Sequence, residues 1–267
     1  MTADEALSSL THRLRNTSVE VGIGLDVVDM LPGQVDLRLP LRPGYVSADG
    51  RIAPVVSAIV ADVSVGVPAF APVSESPSGV TVELRLDHVA ALAPTARHLE
   101  IRGRSLGLGS ETGTGRAEVR DDLGNLVAHA VGLLAIDRPD SAYDPGVVSV
   151  PVHPFDATRI VPVAQADGTA CVDVSPGMLN RRGTVHGGVL MGLAGEAQEL
   201  FLGPDPGRRR LQLSTTYLRP ASGEGRLLLR SEFSRRGRRV CAVRTEIFDV
   251  RDKLVAVAHG TSGRAQR

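Results

Sequence analysis

Tryptophan is absent from this 267-residue sequence, and five Phe and three Tyr are its only other aromatic rings. That scarcity argues against a surface that stacks nucleic-acid bases. Cysteine is nearly absent too. Cys171 and Cys241 cannot build a disulfide framework or a metal set, and both lie in apolar, strand-like runs, as buried free thiols do. His88, His98 and His129 share no metal-ligand spacing, so no metal is expected. No apolar run reaches transmembrane length without a charge. The first nine residues are acidic and lack a long apolar stretch, so no secretory signal is read and a cytoplasmic location is expected.

What is present fits one large or two modest domains with an ordinary apolar content of 42%. The formal charge is zero overall but segregated. Residues 1–140 hold 12 Arg against 18 Asp and Glu, a net of −6; residues 141–267 hold 18 Arg and Lys against 12 Asp and Glu, a net of +6. The halves should attract each other, and the second offers a field to an anionic ligand. Its basic residues gather at Arg181 and Arg182, at 208–210, and at Arg235, Arg236, Arg238 and Arg239.

A motif and a decayed copy of it stand 133 positions apart. Pro176, Gly177 and Gly183 repeat Pro43, Gly44 and Gly50. The second copy carries Asn180, His186 and Gly187 where the first has Ser47, Ala53 and Pro54. Nine residues past Ala53 lies Asp62, whereas nine past His186 lies Gly195. Each half holds what the other lacks, which implies two related domains, 1–140 and 141–267, sharing one working site.

Helical spacing of Leu7, Leu10 and Leu14 predicts a short helix over 3–14. Strands are expected at 19–28 and 34–41, with Pro32-Gly33 turning between them. Residues 54–70 favour strand by their β-branched content, but the counterpart 187–202 is rich in helix formers, so both are assigned as helices. Strand-like runs follow each helix, at 79–89, 98–106, 115–120 and 126–136, then at 211–218, 226–234, 240–250 and 254–259. A linker is expected over 138–151. Each half therefore reads as an α+β unit, a long helix packed on one antiparallel sheet.

The residues Asn180, Gly183 and His186-Gly187-Gly188, then a helix, then Thr216-Tyr217-Leu218-Arg219-Pro220 and Gly237-Arg238-Arg239-Val240, resemble the hotdog-fold acyl-CoA thioesterases, nearest the phenylacetate-pathway and 4-hydroxybenzoyl-CoA type. The likeness spans 168–262 and, more weakly through Asp62 and Gly79-Val80-Thr81-Val82-Glu83, 19–136. It implies a double hotdog: two antiparallel sheets, each wrapping a central helix, joined by pseudo-twofold pairing with the helices antiparallel. It also implies acyl-CoA as substrate, no cofactor beyond that coenzyme A, no nucleic-acid or membrane partner, and further association of tandem chains into an oligomer.

On that plan the Gly187 amide, unpaired at a helix N-terminus, is the oxyanion donor. Pro54 has no N–H to offer in the equivalent place. Asp62 is the general base or nucleophile. It lies eight residues along its helix from Pro54, about 12 Å, so it can serve only the antiparallel partner's start. The resemblance gives Thr81 a hydroxyl that holds water near the carboxylate. It gives Asn180 and His186 roles in orienting water or contacting the thioester sulfur. Asn180 as a turn former and His186 as a loop brace are the competing readings. Arg235, Arg236, Arg238 and Arg239 correspond to a phosphate-contacting turn for CoA, or form a solvated hairpin tip. Glu196 points about 100° away from the position of the family acid. A non-catalytic acyl-CoA or acyl-carrier-protein binding module is the alternative to an enzyme. A hydratase or dehydratase lacks its expected Asp…His pattern.

Overall fold

The structure, a computed structural model, describes residues 8, 11, 12, 14–70, 79–136, 151–205 and 207–264. Most of the helix expected over 3–14, and all but the last residue of the linker expected over 138–151, lie outside the described residues.

The chain begins with a short helix α1 (Ser18–Ile23) and strands β1 (Asp26–Leu31) and β2 (Gln34–Pro40). The long helix α2 (Pro54–Phe70) follows, then β3 (Gly79–His88), β4 (His98–Leu108), β5 (Thr112–Asp121) and β6 (Leu126–Ile136). Further along come two short strands that sequence patterning did not show, β7 (Val163–Ala164) and β8 (Ala170–Asp173). The second long helix α3 (Gly187–Leu202) leads into β9 (Arg208–Tyr217), β10 (Arg226–Arg236), β11 (Val240–Phe248) and β12 (Leu254–Arg264).

The expected strand over 19–28 is a correction. Its first part is α1, in which Val19 and Ile23, one helical turn apart, are fully buried. Gly24, at φ 76°, ends the helix with its N–H on the Glu20 and Val21 carbonyls, a left-handed cap that glycine takes without strain. Burial of one stripe overrode β-branched propensity. The same holds for α2, whose Val and Ile side chains are buried almost throughout.

All strand pairings are antiparallel. The two expected sheets meet edge to edge in one 12-stranded sheet, ordered β1-β2-β4-β5-β6-β3-β9-β12-β11-β10-β8-β7. The seam is β3 against β9, with Arg85 opposite Ser214 at its middle. The sheet curls around α2 on one side of that seam and α3 on the other. Close approach to α2 is made at glycines. A Cβ on Gly115 would collide with the Val65 carbonyl, and one on Gly103 with the Ser64 carbonyl. Ser64 is the residue four before Pro68, so its carbonyl receives no helical N–H. Among the described residues no helix is long and apolar enough to cross a membrane.

The two long helices run antiparallel and touch backbone to backbone. Gly188 faces Ile59, Gly192 faces Val55 and Gly195 faces Pro54. A Cβ on Gly188 would lie 2.6 Å from Ile59 Cα. Nothing larger than glycine fits on α3 at this separation, and that contact brings the middle of α2 to the start of α3.

Candidate active site at the helix junction

His186 is the N-cap of α3. Its backbone is extended, and its Nδ1 accepts from the Gly188 N–H at 3.1 Å. The loop before it is tied by Asn180, whose Oδ1 accepts from the Arg182 N–H at 2.8 Å and the Thr184 N–H at 3.3 Å, while its Nδ2 donates to Thr184 Oγ1 at 2.9 Å. The amide of Asn180 is thus engaged inside its own turn. Tyr217, on β9, donates its hydroxyl to the Gly187 carbonyl at 2.9 Å. Burial, and then the charge of Asp62, push that phenol well above its usual range, so it remains a donor.

Asp62 arrives from α2. Its Oδ2 accepts the Gly188 N–H at 2.8 Å and its Oδ1 accepts the Thr81 hydroxyl at 2.7 Å. The carboxylate lodges against Gly187 so closely that a Cβ there would stand 2.8 Å from Oδ2. Among the described residues the Gly187 N–H has no hydrogen-bond partner. An unpaired amide at a helix start, with the dipole behind it, attracts negative charge. Nδ1 of His186 stands 3.5 Å from Asp62 Oδ2, and Nε2 stands 3.5 Å from Glu20 Oε1.

These groups open on a cavity of about 490 Å³. Asp62, Thr81, Asn180, His186 and Gly187 all line it, so five of the expected site residues are brought together. Val63, Val67, Val80 and Leu134 form an aliphatic side, and Arg181, Arg182 and Arg219 bring positive charge to the cavity lining. Among the described residues no group of three or more His, Cys, Asp and Glu side chains could hold a metal ion.

Arg235, Arg236, Arg238 and Arg239 are not brought to this cavity. Three of them, Arg236, Arg238 and Arg239, line a separate depression of about 230 Å³ with Leu202 and Arg208. Leu202 is the last residue of α3, fifteen positions from Gly187, or about 22 Å along the helix axis. The turn therefore lies apart from the cavity at Gly187. It stands by the C-terminal end of α3, where Arg236 lies over the Phe233 ring at 5.2 Å.

Two contributors went unread in the sequence. Glu20, on α1, carried no motif. Arg219 lay inside the Tyr-Leu-Arg-Pro strand motif but was given no role.

The second junction, related by the pseudo-twofold, differs in each part. Pro54 takes the place of Gly187, and Gly195, where Asp62 would stand, packs on the Pro54 ring so closely that a Cβ there would lie 3.0 Å from Pro54 Cβ. Arg210 occupies on β9 the place of Thr81 on β3, and donates through Nε and Nη2 to Glu199. Glu196 beside them is pushed up to about 7 by burial and by the charge of Glu199, against the pull of Arg210.

The acyl-CoA thioesterase N-terminal domain family matches residues 175–263, a broader assignment than the phenylacetate or 4-hydroxybenzoyl type. No curated protein matches the chain. Among solved structures, an acyl-ACP thioesterase from Bacteroides thetaiotaomicron superimposes with a TM-score of 0.59 at 12% identity, covering 86% of this chain and 98% of that one. A conserved protein of unknown function with a hot dog fold from Alicyclobacillus acidocaldarius gives 0.57 at 11% identity, covering 96% and 99%. At such identities these two establish the fold.

Proposed function

We propose that this hotdog-fold thioesterase hydrolyses an acyl-CoA at a single composite site, with Asp62 as general base and the Gly187 amide as oxyanion donor. The observation that carries the reading is the lodging of the Asp62 carboxylate, from one half of the chain, against the open helix start of the other.

In the reaction Asp62 takes a proton from water, and the resulting hydroxyl attacks the thioester carbon. The carbonyl oxygen gains charge and is met by the Gly187 N–H, an interaction of about 3–4 kcal/mol in such sites. The tetrahedral intermediate then expels the CoA thiolate, and the proton held by Asp62 returns to the products. Each oxygen of Asp62 already accepts one hydrogen bond, from Thr81 and from Gly188, which orients the remaining lone pairs and favours action on water over direct attack. Thr81 keeps its own lone pairs free to hold that water. The aliphatic wall of Val63, Val67, Val80 and Leu134 suits an acyl chain. Arg181, Arg182 and Arg219 have the charge to meet the coenzyme's phosphates, in place of the distant 235–239 turn.

The second junction supports a count of one site per chain, because Pro54 has no N–H and Gly195 stands in the position of Asp62. A thiol-release screen over short, long and aryl acyl-CoAs tests the reading. Turnover of at least one class is expected. Tight binding throughout, with no free thiol, would instead make the protein a binding module.

A further inference from the structure

We propose that Glu20 is a positioning residue for this site: its carboxylate accepts the Nε2 proton of His186 and holds the imidazole with its Nδ1 lone pair toward the Gly188 amide and Asp62. The inference rests on the thioesterase reading for its catalytic consequence, but not for its geometry.

A neutral imidazole has one donor and one acceptor nitrogen. The Gly188 N–H is shared between Asp62 Oδ2 at 2.8 Å and Nδ1 at 3.1 Å; with that donor facing it, Nδ1 is the acceptor and the proton belongs on Nε2. Facing Nε2 is Glu20 Oε1 at 3.5 Å. Both side chains are buried, with less than a tenth of either exposed. A buried carboxylate is costly without a partner. Among the described residues no Arg or Lys forms an ion pair with Glu20, and its Oε2 is buried with no partner at all. His186 is what Glu20 has been buried to meet.

The helix that carries Glu20 is itself held in place. His153 donates its N–H to Ser18 Oγ at 2.9 Å, and Arg42 donates to the Gly22 carbonyl at 3.1 Å. Gly22 packs on Phe155 so tightly that a Cβ would lie 2.6 Å from its carbonyl oxygen. Glu20 is therefore presented from a fixed frame, and the line Glu20, His186, Asp62 runs from α1 to the base.

Burial opposes a charge on His186, but the hydrogen bond and charge of Glu20, and then the charge of Asp62, outweigh it and raise the imidazole above its usual range. The titratable groups around the ring are Glu20 on α1 and Asp62 on α2, with the Tyr217 phenol of β9 on the adjoining Gly187 carbonyl. A second proton on the ring goes to Nδ1, which would give up the Gly188 N–H and turn to Asp62 Oδ2, tying up the base.

The test is the tautomer of His186, read from its ring ¹⁵N shifts and couplings in the full chain, with Glu20→Gln and Glu20→Ala beside it. The wild type is expected to carry its proton on Nε2. Glu20→Gln, whose amide oxygen still accepts, keeps that tautomer but lowers the imidazole pKa. Glu20→Ala loses the single tautomer, and kcat falls about 10–100-fold, the size of loss seen when a metal-bound histidine loses its outer partner, with KM little changed. A wild-type proton on Nδ1 overturns the proposal whether or not the variants fold. An unchanged tautomer in Glu20→Ala, or an unchanged His186 pKa in Glu20→Gln, overturns it too. These spectra need no substrate, so failure of the thioesterase reading would appear separately, as absent thiol release in the wild type.

Discussion

Gly192→Ala perturbs the helix seam about one turn past Gly188, away from every reacting group. A methyl at this position falls well inside van der Waals contact of Val55 Cα, with Val55 N at 3.1 Å and Val55 Cβ at 3.2 Å. The nearest obstacles are backbone, so no rotamer change relieves them. Carbon atoms in contact sit about 3.5–4.0 Å apart, so α2 and α3 must separate by roughly 1 Å. Overpacking of this kind costs about 1–3 kcal/mol. Alanine returns about 1 kcal/mol through helix propensity. The net is a variant up to about 2 kcal/mol less stable, with Tm lowered by up to roughly 8 °C.

The catalytic effect should exceed the loss of stability. Asp62 and Gly187 belong to different helices, so a shift of about 1 Å between them misplaces base against oxyanion donor, worth about 100-fold in rate. Thermal denaturation and kcat/KM for thiol release measure the two effects together. Gly107→Ala is the control: nothing lies within 4 Å of its added methyl, and stability should change by less than about 0.5 kcal/mol. A Gly192→Ala variant as stable and as active as the wild type would refute the claim that backbone contact between the helices sets the site's geometry.

Glu196→Gln should stabilise the protein at pH 8 and leave it unchanged near pH 4. The Glu196 carboxyl titrates near 7 in the folded chain, above the unfolded value of 4.5, so its contribution is fully present below pH 4.5 and is lost as pH rises through 7. The span corresponds to at most about 3 kcal/mol, and urea titrations from pH 4 to 8 should show a flatter slope in the variant. Arg219→Ala should raise KM for CoA esters several-fold, leave kcat unchanged and weaken the salt dependence of kcat/KM; an unaltered KM would remove Arg219 from substrate binding.

The pairing of Asp62 with Gly187 was legible from chain offsets together with the antiparallel helix pairing that the family resemblance implies. Two motif copies, each missing a part, and a helical rise of about 1.5 Å per residue leave only the antiparallel partner within reach. The helical state of 54–70 was legible only through its counterpart, since its own β-branched residues favour a strand. Thr81 followed from its match to the family. The place of the 235–239 turn, beside the end of α3, was not legible, because charge and motif fix the sign of a hairpin tip but not which end of the helix it meets. Glu20 was illegible for another reason. It lies in a segment read as strand, 166 positions from His186, with no spacing to connect them. Only the packing of α1 brings its carboxylate to the imidazole.

Asp62→Asn bears most directly on the composite site. The amide oxygen can still accept from Thr81 or Gly188, so the fold should survive with little change in Tm, while the base is removed. The account predicts a fall in kcat for thiol release of about 100- to 10,000-fold with acyl-CoA still bound. Turnover within tenfold of the wild type would contradict it.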